Sequence, residues 1–563
     1  MADYDSTENF QANLPTEMEV EQSAQRTSNK TFGIIKVAGI ETKKILFLCL
    51  ISFLICFVYS IMKELKDAFV IVRQTPASIN ILKLFYVPPV AIIGALLVQK
   101  MLVSSDNKTI LKRMLMFFAA IFILFTILSL PFVNLDFSGQ STKDMLSDGK
   151  MKFKGTESVV AAVYTVISWT STLCFVSAEI YGSLVMSLLL FSFLNDICPI
   201  KQFLRFLPLI LIFANVSLIC SAGSLYVLKT LINNLSFRNK QYLYSGLFLI
   251  LALVCMLTWL VITILDNVVL SKPMFIIENP VKKKKKGSVA YGEGFKTMFS
   301  SKFLLAMCIT VLFYNLSQNM ADSSYKSLML IQKNLKNMDE SYIMKNQCIS
   351  QIVTALCVIT LLITPFSRIV QLTGWVVSGM ITPIYIAVIG ITAFFLALYN
   401  TGSVGKNAFG FINTFIQAHP FLHKMKKSTD KYALFDNEEF LGMIFISGGY
   451  KVMKYASFDI CKEAISMRID PQYRSQFKGI YDGMCGKMGK MLGSIIGFII
   501  TILFNTQDVR EASFVYLIIS MIFAVIWIIT IIYLGRKYND SVAKNKFVDI
   551  DIIGEKDPKK LNL

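Results

Sequence analysis

From Val159 to Phe193 the chain reads VVAAVYTVISWTSTLCFVSAEIYGSLVMSLLLFSF, and the only charged residue in that apolar stretch is Glu179. About 20 apolar residues, each rising about 1.5 Å in a helix, cross the roughly 30 Å of bilayer hydrocarbon, so the stretch can hold a membrane-spanning helix with Glu179 deep inside it. A carboxylate at that depth costs about 3 kcal/mol on insertion scales and must face a partner, water or a substrate path rather than lipid. The stretch is longer than one span needs, and the other reading places Glu179 at a helix end beside a kink or turn.

Similar runs recur along the chain, near 45–62, 80–99, 113–133, 160–194, 204–230, 242–268, 303–324, 347–366, 373–399, 440–456, 483–505 and 513–535, which makes twelve expected spans. With 54% hydrophobic and 17% charged residues, the expected class is an all-α polytopic membrane protein. The formal charge of +19 would suggest nucleic acid in a soluble chain. Here the basic residues gather in short loops: Lys43 and Lys44 before the first span, Lys108, Lys112 and Arg113 between the second and third, and Lys201 and Arg205 after the fourth. Arg468 and Arg474 follow the tenth span, and Arg536 and Lys537 the twelfth. That alternation places both termini in the cytosol and calls for a lipid bilayer and no nucleic acid as the surroundings.

The longest cytosolic connection, 271–301 with five lysines from Lys282 to Lys286, divides the spans six and six. The expected organisation is a disordered cytosolic tail at 1–40, a six-helix half at 41–270, this basic linker, a second six-helix half at 302–537 and a cytosolic tail at 538–563. Two six-helix halves with a site between them at midplane is the layout of a major-facilitator-like carrier.

Beyond Glu179, three charged places stand in or beside spans. KELKD, Lys63 to Asp67, closes the first span; Lys63 and Asp67, four apart, are placed to pair, leaving Lys66 on a neighbouring face, free to snorkel. Asp322 ends the seventh span, with Asn315, Gln318 and Asn319 one or two turns earlier lining a face that lipid does not tolerate, so the stretch meets a wet cavity or protein. Lys462 follows the tenth span, with Glu463 beside it. Two lysines and two carboxylates, two in each half, suit a polyphosphate whose place the carboxylates take when the site is empty. They equally suit ion pairs that fasten the bundle.

Other chemistries find no footing. There is no G-x-x-x-x-G-K-[ST] run; in GMCGKMGK the glycines Gly486, Gly489 and, further on, Gly493 are spaced for close helix packing. The eleven cysteines are scattered without CxxC spacing, and the two histidines, His419 and His423, have Pro420 between them and no cysteine near, so no metal, cofactor or enzyme centre is expected.

At these residues the sequence resembles the nucleotide transporters of the ATP:ADP antiporter family known from plastids, intracellular bacteria and microsporidian parasites, which are distinct from the mitochondrial carriers. The resemblance runs from about Met62 to Ile496 through MKELKDAFVIV, ILKLFYVPPVAII at 81–93, AEIYGSLVMSLLLFSFLNDI at 178–197, NMADSSYKS at 319–327, KYASFDICKEA at 454–464 and KGIYDGMCGKMGKMLGSII at 478–496. It implies a carrier exchanging ATP for ADP by alternating access. By position it implies substrate-binding roles for Lys66, Glu179, Asp322 and Lys462, supported by Asn319, Lys63, Asp67, Tyr181, Lys326 and Lys490. The sequence departs where the family has Glu instead of Asp322, Trp instead of Tyr181 and Tyr325, and a Y-I-P-L-like run instead of SMRI at 466–469. A carboxylate one methylene shorter keeps its charge and loses reach.

The resemblance further implies ATP and ADP as the molecules bound, a parasite's plasma membrane as the location, or that of a reduced mitochondrial organelle, and host ATP as the cargo. Nothing in the sequence requires more than a monomer. The rival readings are a proton-coupled symporter with Glu179 or Asp322 as proton carrier, and a membrane receptor that binds nucleotide without moving it.

Overall fold

The computed structural model describes residues 22–23, 37–130, 157–232, 235–271, 299, 301–336, 340–364, 373–401, 436–470, 477–506 and 508–550. The lysine run Lys282 to Lys286, most of the 1–40 tail and both histidines lie outside these residues. What is described is built of helices. In chain order they are α1 Thr42–Arg73, α2 Pro76–Ile81, α3 Val87–Ser104, α4 Asn107–Leu128, α5 Glu157–Ile167, α6 Trp169–Ile180, α7 Leu190–Ile197, α8 Ile200–Ile232, α9 Phe237–Leu265, α10 Lys302–Leu335, α11 Glu340–Ile363, α12 Trp375–Thr401, α13 Asp436–Met453, α14 Asp459–Ser466, α15 Gly486–Leu503 and α16 Ser513–Ala543. Short π-helical segments run Leu82–Tyr86, Tyr181–Leu189, Asp266–Leu270, Lys454–Phe458 and Gly479–Cys485.

Among the described residues, eleven helical stretches are long and apolar enough to cross a membrane. The expected tenth span is α13, a helix that falls short of that measure because DNEEFLGMIFISGGYKVM carries Asp436, Glu438, Glu439 and Lys451. Its charge at the start has a buried partner: Arg510 Nη1 reaches Glu439 Oε1 at 2.6 Å, Arg510 Nη2 reaches Asp508 at 3.0 Å, and Asn400 donates to the other Glu439 oxygen at 2.7 Å. Arg510 and Glu439 are both fully buried. A pair so placed and so saturated with hydrogen bonds ties the ends of α12 and α13 to the start of α16, and removing one member strands the other.

The contacts divide the chain into two compact units. The first takes residues up to Leu65, Pro89–Phe137 and Val176–Lys284. In it α9 packs along α4, with Phe125 and Phe248 ring centroids 5.3 Å apart. Gly182, in the π segment after α6, lies so close to the Tyr59 ring that a Cβ there would overlap it. Lys44 is buried and donates to the Ile197 carbonyl at 2.8 Å and Gln202 at 2.7 Å.

The second unit takes Lys66–Pro88, Ser138–Phe175 and Lys285–Leu563. Its main packings are α12 on α16 and α10 on α15. The α10–α15 contact explains the glycine spacing. A Cβ on Gly489 would meet the Leu312 carbonyl oxygen at 2.5 Å, and one on Gly493 would meet Asn319 at 2.8 Å, so two backbones touch where a side chain would hold them apart. On α16 the outward residues are apolar, Val525 at 59% and Ile529 at 62% exposure, while Tyr516, Ser520 and Trp527 point inward, the arrangement that lipid solvent selects. The helix runs on past the expected tail boundary to Ala543, and the chain then turns back so that Val548 N donates to the Arg468 carbonyl at 2.9 Å.

Candidate functional site

The second unit gathers charges where spanning helices meet. Thr75 caps α2 by accepting from Ser78 N at 3.3 Å, and Pro76 opens the helix with its φ already set. The sharp turn this makes after α1 lays α2 and the Leu82–Tyr86 segment against α10 and α15.

On α1, Lys66 Nζ lies 3.1 Å from Asp67 Oδ1, and Lys326 Nζ of α10 lies 2.9 Å from Asp67 Oδ2. Lys66 also sits over the Phe175 ring, 4.0 Å from its centroid. The expected Lys63–Asp67 pair is not formed: Lys63 reaches Glu64 at 3.0 Å, because both Asp67 oxygens are taken, one by a lysine from a distant helix. Lys66 does not snorkel either; it is buried at 3% exposure. Inside protein a lysine and a carboxylate at about 3 Å satisfy each other far better than either meets lipid.

Asp322 on α10 accepts from Gln318 Nε2 at 3.0 Å and Ser447 Oγ at 2.5 Å, and Lys451 of α13 stands 3.6 Å away. Asn319, one residue round from Gln318, accepts from Lys83 Nζ at 2.6 Å and donates to Ser494 Oγ at 3.0 Å and to the Lys490 carbonyl at 3.2 Å. The amide face expected on the seventh span therefore meets protein. Asn80 of α2 completes this seam, 3.4 Å from Ser323 and close against Gly497 of α15.

Lys462 reaches Asp482 at 2.7 Å and Asp459 at 3.0 Å. The carboxylate next to it in sequence, Glu463, turns the other way and pairs with the exposed Lys478 at 2.7 Å, as neighbours on a helix point about 100° apart. The ion pair fixes α14 to the Gly479–Cys485 segment.

Glu179 belongs to the first unit, half-buried on the last turn of α6 just before the Tyr181–Leu189 segment. Tyr181 is fully buried, its ring 5.0 Å from Phe118 and its hydroxyl 3.5 Å from the Ile55 carbonyl, which makes it a packing residue of that unit. Lys490 is exposed as a side chain and contributes its carbonyl.

Within the second unit the structure thus brings Lys66, Asp67, Lys326, Asp322 and Asn319 into one band, and sets Lys462 in its own pair of carboxylates. Sequence reasoning missed Lys83, Lys451, Ser447, Asp459 and Asp482. The signal for the two lysines was present: each is a cation within an expected span, the same criterion that singled out Glu179. Four of the five π-helical segments hold or adjoin these charges, at Lys83, Glu179, Lys451–Lys462 and Asp482. Such turns widen a helix and recur at functional sites.

Known proteins match this chain along nearly its whole length. It is 37% identical over 545 residues to ADP,ATP carrier protein 1 of Encephalitozoon cuniculi (strain GB-M1), covering 96% of this chain and 94% of that one. It is 33% identical over 555 residues to ADP,ATP carrier protein 1 of Paranosema grylli, covering 97% of each, and 25% identical over 507 residues to ADP,ATP carrier protein 1 of Rickettsia typhi (strain ATCC VR-144 / Wilmington), covering 90% and 95%. In fold it is similar to a crystal structure of a bacterial homologue of the iron transporter ferroportin in inward-facing state, with a TM-score of 0.52 at 11% identity, covering 88% of this chain and 98% of that one. The TLC ATP/ADP transporter family matches residues 19–538, wider at both ends than the stretch from Met62 to Ile496 that its motifs mark out. With charged pairs buried between spanning helices and a family match over residues 19–538, the chain belongs to the TLC ATP/ADP transporter family.

Proposed function

We propose that this protein exchanges ATP for ADP across a membrane, importing ATP from the host of an intracellular parasite, and that the buried lysines are where the phosphates bind. The observation that carries the mechanism is the chain Lys66–Asp67–Lys326, with side chains only 4%, 7% and 10% exposed. Breaking a buried ion pair without a replacement costs about 3–5 kcal/mol. A phosphate is such a replacement, since it offers a lysine the same charge-assisted hydrogen bonds as a carboxylate. A carrier that can reopen only when phosphate stands in for Asp67 or Asp322 does not return empty, and that is what makes it an exchanger.

The two six-helix halves, 41–270 and 302–537, are the rocking bodies of this mechanism. Asp67–Lys326, Lys83–Asn319 and Asn80–Ser323 all join first-half segments to α10 of the second half. By the loop charges this seam lies toward the non-cytosolic side, with both termini in the cytosol. A seam made of polar pairs rather than interlocked apolar side chains can part and re-form, because each group finds water or substrate when it opens. The Asp322 and Lys462 pairs, within the second half, hold the receiving surface in shape. Glu179 serves as the first half's carboxylate in the same cycle, and the protein works as a monomer in the parasite's plasma membrane.

Proteoliposomes carrying the purified protein test this. Labelled ATP uptake that is competed by ADP and indifferent to a protonophore is the expected outcome. Uptake that collapses with the proton gradient would make the protein a symporter and shift attention to Glu179 and Asp322 as proton carriers.

A further inference from the structure

α16 ends in a reversal of the chain. Asn545 takes the left-handed conformation, with φ 45°. Its N–H donates to the Val542 carbonyl at 3.2 Å and the Lys546 N–H to the Ser541 carbonyl at 3.1 Å, the pairing that closes a helix and turns the backbone away from its axis. The Ser541 hydroxyl donates in return to the Lys546 carbonyl at 2.6 Å. The strap that follows is fastened three times. Val548 N donates to the Arg468 carbonyl at 2.9 Å, Lys537 reaches Asp549 at 2.9 Å, and the hydroxyl of Ser301, which caps α10, donates to the Ile550 carbonyl. Arg468 is itself held in a turn after α14, its N–H on the Ile465 carbonyl at 3.0 Å.

Between the strap and that turn lies a pocket of about 570 Å³, lined by Met467, Arg468, Asn545, Lys546 and Phe547, a volume in the range of small-molecule sites. It sets two cations beside two apolar side chains that stand out, Met467 at 47% and Phe547 at 57% exposure. Among the described residues neither Arg468 nor Lys546 has a carboxylate at ion-pair distance, and the strap's own Asp549 is taken by Lys537. The depth of the pocket follows from α16. The helix has 31 residues, about 46 Å against roughly 30 Å of hydrocarbon, and its apolar run stops at Arg536 and Lys537. Because the strap comes back to Lys537, the pocket lies just beyond the hydrocarbon, in the roughly 5–8 Å occupied by lipid headgroups.

We propose that this pocket holds the headgroup of an anionic phospholipid, with Arg468 and Lys546 on its phosphate oxygens and Met467 and Phe547 seated among the upper carbons of its tails. A free phosphate would satisfy the two cations and leave both apolar side chains bare to water, whereas a lipid covers them as well. The loop charges place this face in the cytosol, on the leaflet whose anionic lipids basic pockets collect. Through the strap, a bound lipid ties the ends of α10, α14 and α16 to one level of the membrane. Lipid binding here does not depend on which solute the carrier moves.

The test uses the full-length protein in detergent and counts bound lipid by native mass spectrometry as phosphatidylserine, phosphatidylcholine or inorganic phosphate is added. The parent is expected to retain phosphatidylserine over phosphatidylcholine. Arg468→Gln/Lys546→Gln is expected to bind phosphatidylserine about tenfold to a hundredfold more weakly, near what two charges are worth at a membrane surface. Lys546→Gln alone changes an exposed side chain and leaves the backbone bonds of the strap in place; its expected loss of about fivefold decides the matter should the double variant fold poorly. Lys112→Gln/Arg113→Gln, the same loss of charge near the start of α4, is expected to keep the preference. Unchanged phosphatidylserine binding in the pocket variants, or an equal loss in Lys112→Gln/Arg113→Gln, would overturn the proposal. Inorganic phosphate that fills the site as readily as the lipid would make it a free-anion site and overturn the lipid assignment.

Discussion

Asp67 and Lys326 meet at 2.9 Å, a carboxylate from α1 and an ammonium from α10, with almost none of either side chain left to solvent. The pair joins the first expected span to the seventh, and Lys66 holds the other Asp67 oxygen.

If that bridge is coupled, single and double substitutions differ in a defined way. Asp67→Asn and Lys326→Gln each leave a buried partner uncompensated and are expected to cost about 3–5 kcal/mol of stability. Asp67→Asn/Lys326→Gln removes both charges and is expected to cost less than the sum of the two. Thermal unfolding in detergent reads this out; strict additivity would show that the two residues act independently.

Lys462 carries a similar expectation with a different partner set. Because Asp482 and Asp459 share it, Asp482→Asn alone is expected to slow ATP uptake less than Lys462→Ala does, Asp459 still holding the ammonium in place. Uptake by the two variants, normalised to inserted protein, decides it: equal losses would mean that Asp482 has a role of its own.

The glycine stripe on α15 separates close packing from mere spacing. A Cβ on Gly489 would stand 2.5 Å from the Leu312 carbonyl oxygen, while one on Gly486 would be 3.7 Å from its nearest neighbour, Asn315. Gly489→Ala is expected to destabilise by about 1–3 kcal/mol through overpacking, and Gly486→Ala to be close to neutral. Unfolding temperatures of the two variants are the comparison, and the reverse order would contradict the packing described.

Much of this was legible in the chain and some was not, for physical reasons. Burial in lipid imposes long apolar runs, so the helices announce themselves, and a charge inside one, such as Glu179 or Asp322, stands out. Partners do not. Spacing four apart pointed to Lys63–Asp67, yet the partner that took Asp67 is Lys326, from a helix whose approach only the tertiary packing sets. Lys451 went unnoticed because α13 is a faint span, made faint by Glu439 and its neighbours, whose cost Arg510 offsets from beyond α15. The glycines of α15 were readable as a packing device, since few other roles need that spacing.

Arg510 separates stability from transport. Glu439→Gln is expected to lower the yield of folded protein by weakening a fully buried pair, while the protein that does insert keeps its KM for ATP, because the pair lies at the ends of α12 and α13 and not in the lysine band. Yield and KM measured on the same preparation check this; a raised KM would bring Glu439 into the substrate path.

The central claim is that nucleotide on the far side is what lets the carrier return. It is tested most directly by uptake of labelled ATP into proteoliposomes loaded with ADP or left empty. Uptake many times faster into loaded vesicles, with the advantage lost in Lys66→Ala, is the predicted result. Equal uptake into loaded and empty vesicles would contradict obligatory exchange and, with it, a gating role for the buried lysine–aspartate pairs.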